Sequence, residues 1–399
     1  MTKQKDKATL IFMLIVAISG LALGLSDSVM SNYFRDAYDV DAFQRGLIEF
    51  PREMPGVISV LIVSGLAFMG NIRLAIIAHI LSIIGILVLG LASPPFTIML
   101  IFLFINSLGM HMFFPLYDSM AMSLAKKGSF GTVMGRFNGL RTAFSMMAAI
   151  IVFFGFRSGV FSFTTPVITV FVIAGVLFTV ILFLLLYMKR HTEDVKAEKS
   201  RFVLNKAYTK FYMLAFLFGA RKQIMYVYGP WVLIELLDFG ADRMALLMIV
   251  GSAIGIFFMP AVGRWIDRFG AGRIMIIETA AFLVIYIGYG AIGAGVTSGA
   301  LFGITSFVAL AVVVNILDRM TIQFGMVRSV YMRSIAKAPE DVTPTLATGM
   351  AIDHIVSIVS AIFSGFLWWE FGPQYVFVFA GLLAIANMMV AVRIKKEGK

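Results

Sequence analysis

Gly263-Arg264-Trp265-Ile266-Asp267-Arg268-Phe269-Gly270-Ala271-Gly272-Arg273 is a short charged interruption between two long apolar runs. The runs, residues 243–262 and 273–293, each have the ~20 residues a helix needs to cross a hydrocarbon core. An acid, three arginines and three glycines in eleven positions make a tight polar turn. Such a turn suits the cytoplasmic hinge of a membrane protein that moves.

Working outward, the same alternation of apolar run and short turn fills the chain. Twelve segments are predicted to span: 8–33, 42–69, 72–92, 96–124, 132–156, 166–188, 208–236, 243–262, 273–293, 299–327, 344–368 and 374–393. Of the 399 residues, 60% are hydrophobic and 14% charged, against about 25% charged in a soluble domain. The fold class is therefore an all-α integral membrane protein. The basic start, Met1 to Lys7, precedes an apolar run of more than 20 residues, which predicts a retained first span. There is no cysteine, so disulfide and thiolate chemistry are excluded. One long polar stretch, Lys189 to Lys210, divides the spans into two sets of six. The predicted domains are 1–188, a linker at 189–207, and 208–399.

Lysine and arginine set the orientation. With both termini cytoplasmic, the inside segments hold 24 of the 33 basic residues and the outside turns four: Arg35, Arg45, Arg157 and Arg243. Five lie within spans. This asymmetry accounts for much of the net charge of +11 without nucleic acid as a partner. The partners expected are a lipid bilayer and a small solute, with the chain working as a monomer in a prokaryotic inner membrane.

The halves repeat faintly. Ser123-Leu124-Ala125-Lys126 matches Ser334-Ile335-Ala336-Lys337, which sets Arg141 opposite Asp353 after one insertion. Gly65 lies opposite Gly263 at the end of the matching span. Parallel six-helix repeats are a transporter architecture.

The opening stretch resembles the loop signature of the major facilitator superfamily, G-x-x-x-D-R-x-G-x-[RK]-[RK]. The resemblance implies two six-helix bundles related by a pseudo-twofold axis, working by alternating access. It implies a cytoplasmic latch of Gly263, Asp267, Arg268 and Arg273, with Asp267 meeting the start of the fifth span near Gly131 to Arg136. A helix N-terminus offers free N–H groups and about half a positive charge to such an acid. The copy between the second and third spans, Gly65 to Arg73, has Met69 where the acid is expected. Drug/proton antiporters of that family carry an arginine early in the fourth span and Gly-Pro in the fifth. Here those places read Ile101 to Asn106 and Met146 to Ile150, without either.

Ionisable residues within spans are costly and face a cavity or a partner. Arg141 lies near mid-span with Asn138 and Ser145 on its face. Arg221 and Lys222 lie in the seventh span, which lines the cavity in the family. Arg221, Met225 and Tyr228 form one stripe, and Lys222 and Tyr226 the next. Gly229-Pro230 interrupts this span near its outer end, and Pro230 is an outer-gate candidate. Asn315 and Arg319 continue a stripe to Gln323, with Asp318 beside Arg319. The substrate-binding candidates are Arg141, Arg221, Lys222, Tyr226, Tyr228, Asn315 and Arg319.

Asp353 and His354 are proton-coupling candidates, since burial raises a carboxylate's pKa and an imidazole titrates near neutrality. Asp27, flanked by Ser26 and Ser28, is another. Arg52 with Glu49 and Glu53 reads as a local salt-bridge network. His111 and Asp118 lie two turns apart, too weak a pattern for a metal site.

No phosphate-binding loop, metal-ligand pair or nucleophile elbow occurs, so no enzyme, metal or cofactor is expected. An ion gradient, of protons, would drive transport. The reading is a secondary transporter of a small anionic or zwitterionic organic solute. Its rivals are a multidrug/proton antiporter exporting amphiphiles and a non-transporting sensor or scaffold.

Overall fold

A computed structural model of the chain describes residues 2–124, 130–191, 204–299, 304–338 and 341–397. Every described regular element is helical. In order they are α1 (Thr2–Asp27), α2 (Met30–Tyr38), α3 (Ala42–Leu47), α4 (Glu49–Gly65), α5 (Asn71–Ala92), α6 (Phe96–Leu124), α7 (Phe130–Arg157) and α8 (Thr169–His191). There follow α9 (Thr209–Trp231), α10 (Ala241–Phe269), α11 (Ala271–Thr297), α12 (Ile304–Thr321), α13 (Met326–Ile335), α14 (Val342–Phe371) and α15 (Pro373–Glu397). Helices are the outcome that lipid imposes, because each closes its own backbone hydrogen bonds.

Nine helical stretches among the described residues are long and apolar enough to cross a membrane. The second, seventh and tenth predicted spans are not among them. The second breaks after α3, and α4 opens on Glu49, Arg52 and Glu53. The seventh carries Arg221-Lys222-Gln223 in its middle. The tenth breaks between α12 and α13, and its start at 300–303 lies outside the described residues. Most of the predicted linker, and Ala125-Lys126 of the internal repeat, also lie outside them.

The chain forms two compact units. Unit 1 is Met1–Tyr38, Pro51–Ser200 and Ala241–Leu246; unit 2 is Asp39–Phe50, Arg201–Gly240 and Leu247–Lys399. In unit 1, α1 packs on α7 and α8, and α5 lies against α6 and α8. Small residues let these helices approach closely. A methyl group on Gly20 would overlap the carbonyl of Arg141, and one on Gly24 would meet Ser145 and Ala148. In unit 2, α14 packs on α9 and α3, and α11 on α15 and α12. Here a methyl group on Gly219 of α9 would sit 2.9 Å from Cα of Asp353. Each unit therefore has a glycine on its first long helix seated against an ionisable residue: Gly20 on Arg141, and Gly219 on Asp353. These are the two charged positions that the sequence repeat sets opposite each other.

The charged stretch that opens the sequence reading is mostly helix. α10 continues through Gly263 to Phe269, and the turn shrinks to Gly270, at φ 79°. Gly270 N–H closes the helix on the Ile266 carbonyl at 2.9 Å. Arg264, Asp267 and Arg268 are exposed, so this last part of α10 is a polar extension of an apolar helix. Gly70, before α5, has nearly the same backbone, φ 91° and ψ 156°, against ψ 154° at Gly270. That geometry pairs Gly70 with Gly270 and Arg73 with Arg273. Ala67 and Phe68 then stand opposite Asp267 and Arg268, two residues away from the alignment that Gly65 and Gly263 suggest. The acid is missing from the first copy in either register.

Candidate functional site

The middle of α9 carries Arg221, Lys222 and Gln223 in succession, so their side chains leave the helix in three directions. Arg221 points into the core of unit 2 and has no exposed surface. Its Nη2 donates to Glu278 Oε1 of α11 at 3.0 Å. Arg328 of α13 reaches the same oxygen through Nη1 at 3.2 Å. The Arg221 guanidinium lies over the Phe282 ring at 4.0 Å, and Arg328 over Phe218 at 3.1 Å. This is a dry ion cluster that joins three helices.

Lys222 points the other way. Its Nζ lies 2.5 Å from Asp353 Oδ2 on α14, with side-chain exposures of 34% and 20%. The pair is partly open, with both side chains reaching the surface of the unit. Asp353 Oδ1 is buried without a hydrogen-bond partner among the described residues. His354 is half-buried beside it, and Tyr226, one turn beyond Lys222, is exposed. The two stripes of the seventh span thus differ in kind. Arg221, Met225 and Tyr228 form the packed face; Lys222 and Tyr226 form the open one.

Gln223 takes the third direction. Its Nε2 donates to Glu49 Oε2 at 2.6 Å, while Arg45 Nη1 donates to Glu49 Oε1 at 2.5 Å. Arg45, expected in an outside turn, is fully buried, with its guanidinium 6.0 Å from the Trp231 ring. Burial is possible because Glu49 neutralises it, i to i+4. The Tyr228 hydroxyl donates to the Ala361 carbonyl at 2.7 Å and lies 3.3 Å from that of Ala42. It ties α9 to α14 and α3. Pro230 stands in the last turn of α9, and a π-helical turn, Val232–Leu236, follows.

The remaining candidates of unit 2 are more scattered. Asn315 is buried and donates to the Tyr289 hydroxyl at 3.3 Å. Arg319 lays its aliphatic stem on Gly251, and Asp318 beside it interacts with its charge. The Gln323 side chain lies outside the described residues. Gly263 has no neighbouring atom within 4 Å of where a Cβ would stand. Asp267 and Arg273 are exposed, and Arg268 lies 5.3 Å from the Phe269 ring.

In unit 1, Arg141 lies over the Tyr117 ring at 5.5 Å and within electrostatic reach of Asp118. Asp118, read in the sequence with His111, therefore also serves Arg141. The His111 ring is held by Ser107, whose hydroxyl donates to the Arg52 carbonyl at 2.6 Å. Asp27 is exposed at the end of α1 and interacts with Arg52. Its flanking serines bond back to their own helix, Ser26 to Ala22 and Ser28 to Gly24.

Glu278 is the residue that sequence reasoning missed. It is the one acid in a span of apolar residues, 273–293, and the rule that flags intramembrane charge applies to it as to Lys222. Arg328, one residue past the predicted tenth span, is buried because Glu278 holds it.

A family model described as Major Facilitator Superfamily matches residues 12–339. No curated protein matches the chain. Many solved structures share its fold. A nucleoside transporter, NupG, is 15% identical, with 96% of this chain and 98% of that one covered and a TM-score of 0.73. An auto-inhibited peptide transporter of the POT family is 14% identical, with 97% of each covered and a TM-score of 0.74. A bacterial homologue of the iron transporter ferroportin is 12% identical, covering 97% and 98%, with a TM-score of 0.70.

Proposed function

The chain belongs to the major facilitator superfamily, and from that premise we propose that it carries a small anionic or zwitterionic organic solute together with a proton. It is a secondary transporter with a small-molecule substrate, an integral membrane protein and not an enzyme. The observation that carries the proposal is the half-open ion pair of Lys222 and Asp353, 2.5 Å apart on two crossing helices.

The chemistry follows from charge balance. In a span, each partner of the pair is tolerated because the other is there. An anionic group that binds the Lys222 ammonium takes it from Asp353. The freed carboxylate then gains from a proton, because a lone charge within a span is costly. Solute and proton arrive together, and the sum of charge at the pair is unchanged. His354, the next residue along α14, is the second candidate for carrying that proton. Tyr226 offers a ring or a hydroxyl to the solute. Asn315 and Arg319 are further polar candidates on α12 of the same unit, and Asp27 and Arg141 are candidates of unit 1.

The cycle is alternating access by two halves, 1–188 and 208–399, joined by the linker 189–207. Gly263, Asp267, Arg268 and Arg273 latch the cytoplasmic side, and Pro230 with its π-helical turn flexes at the other. Both termini lie in the cytoplasm of a prokaryotic cell, and one chain suffices.

Proteoliposomes test this. With labelled organic acids outside and none inside, wild type should accumulate label when the outside is made acidic. Asp353→Asn should keep exchange of solute for solute but lose accumulation. Accumulation that survives Asp353→Asn defeats the coupling role. Uptake of cationic amphiphiles, without that of any acid, would favour a drug exporter.

A further inference from the structure

We infer that Arg328 and Glu278, set behind the solute face, fix the charge that this face selects. The inference rests on the reading of Lys222 and Asp353 as the binding pair. Glu278 Oε1 accepts from both Arg221 and Arg328, so one carboxylate serves two guanidiniums. Arg328 also interacts with the charge of Asp353. Three cations, Arg221, Lys222 and Arg328, thus share two carboxylates, Glu278 and Asp353. Nearby Asp318 and Arg319 offset each other. One positive charge is left over.

The cluster's hydrogen bonding is incomplete on both sides: Arg221 Nε and Nη1 are buried donors, and Glu278 Oε2 and Asp353 Oδ1 buried acceptors, without a partner among the described residues. The rings of Phe218 and Phe282 cover the guanidiniums and keep the cluster dry. Charges in such surroundings are felt over several ångströms with little screening. At the binding step, before the accompanying proton joins Asp353, a solute with one negative charge cancels the excess, a neutral solute leaves it, and a cation doubles it. Arg328 is therefore a specificity-determining residue that acts through Glu278 and Asp353 without contact with the solute.

Variants that change the sum and variants that change only the shape separate this from a structural role. Arg328→Gln lowers the sum to zero, Glu278→Gln raises it to two, and the double variant restores one. Arg328→Lys keeps the charge in another shape. Benzoate and benzamide are the probes, alike in outline and different in charge, with a ring that Tyr226 can stack on. Calorimetry on the purified full-length protein gives the ratio of their affinities.

Wild type, Arg328→Lys and the double variant should prefer benzoate, Arg328→Gln should lose roughly tenfold of that preference, and Glu278→Gln should gain a similar factor. If Arg328→Gln keeps the wild-type preference while Lys222→Gln abolishes it, the inference fails and the binding pair stands. If Lys222→Gln also keeps the preference, or if wild type has none, both fail.

Discussion

Lys222 and Asp353 meet beside Gly219, where the backbone of α9 lies against α14 with no room for a side chain. A Cβ on Gly219 would fall 2.5 Å from Asp353 Oδ1 and 3.0 Å from its carbonyl oxygen. The glycine lets the backbones approach, and the approach sets the pair. Gly219→Ala should force the helices apart at a cost of about 1–3 kcal/mol. Solute binding should fall with it. Thermal unfolding and binding on one preparation check both.

The two adjacent cations should separate cleanly. Arg221→Gln strips a buried carboxylate of one of its two partners and, with Arg328 still paired to it, should cost about 1–3 kcal/mol of stability. Lys222→Gln removes a partly exposed partner, and the stability change should stay within about 1 kcal/mol. Solute binding should reverse the order, with Lys222→Gln losing it. Melting curves in detergent, with and without solute, read both effects.

Tyr226 and Tyr228 should behave as oppositely as their environments. The Tyr228 hydroxyl bonds the Ala361 carbonyl in a buried junction. Tyr228→Phe leaves that junction's carbonyls short of a donor and should cost about 1 kcal/mol, with solute affinity unchanged. Tyr226→Ala should barely move stability, because the ring is exposed, yet weaken an aromatic solute. Affinity measurements on the two variants decide the assignment.

At the charged turn, Gly270 needs its positive φ and Gly263 does not. Gly270→Ala should cost about 1–3 kcal/mol for a strained backbone. Gly263→Ala, in the middle of a helix with open space around it, should stabilise by about 0.5–1 kcal/mol. Asp267→Asn should leave the fold intact and shift the balance of inward and outward states. The chain has no native cysteine. Single cysteines introduced on either side and probed with impermeant reagents would read that balance directly.

The fold was legible because lipid leaves few choices. Length, apolar runs and the basic bias between turns lead to the spans without any tertiary information. The Gly263 to Arg273 stretch is similar to one family's loop, and the family model agrees. Boundaries were harder. Arg264, Asp267 and Arg268 look like a loop, but a helix that leaves the membrane can carry charge in its last turns, and α10 does. The site was half legible. Spacing along α9 separated the Arg221 and Lys222 stripes, yet periodicity cannot say which stripe packs. That depends on Glu278, 57 residues away, which draws Arg221 inward and leaves Lys222 for Asp353. Arg45 shows the same limit. It looks like a surface charge until Glu49, one turn on, and Gln223 close around it.

The central claim is that Lys222 and Asp353 take up a negatively charged solute. Thermal-shift screening of the purified protein tests it most directly, with a library of metabolites and amphiphilic drugs applied to wild type and Lys222→Gln. The stabilising compounds should carry a negative charge, and their effect should vanish in Lys222→Gln. Stabilisation by the same compounds in both proteins, or by cationic amphiphiles alone, would contradict the account.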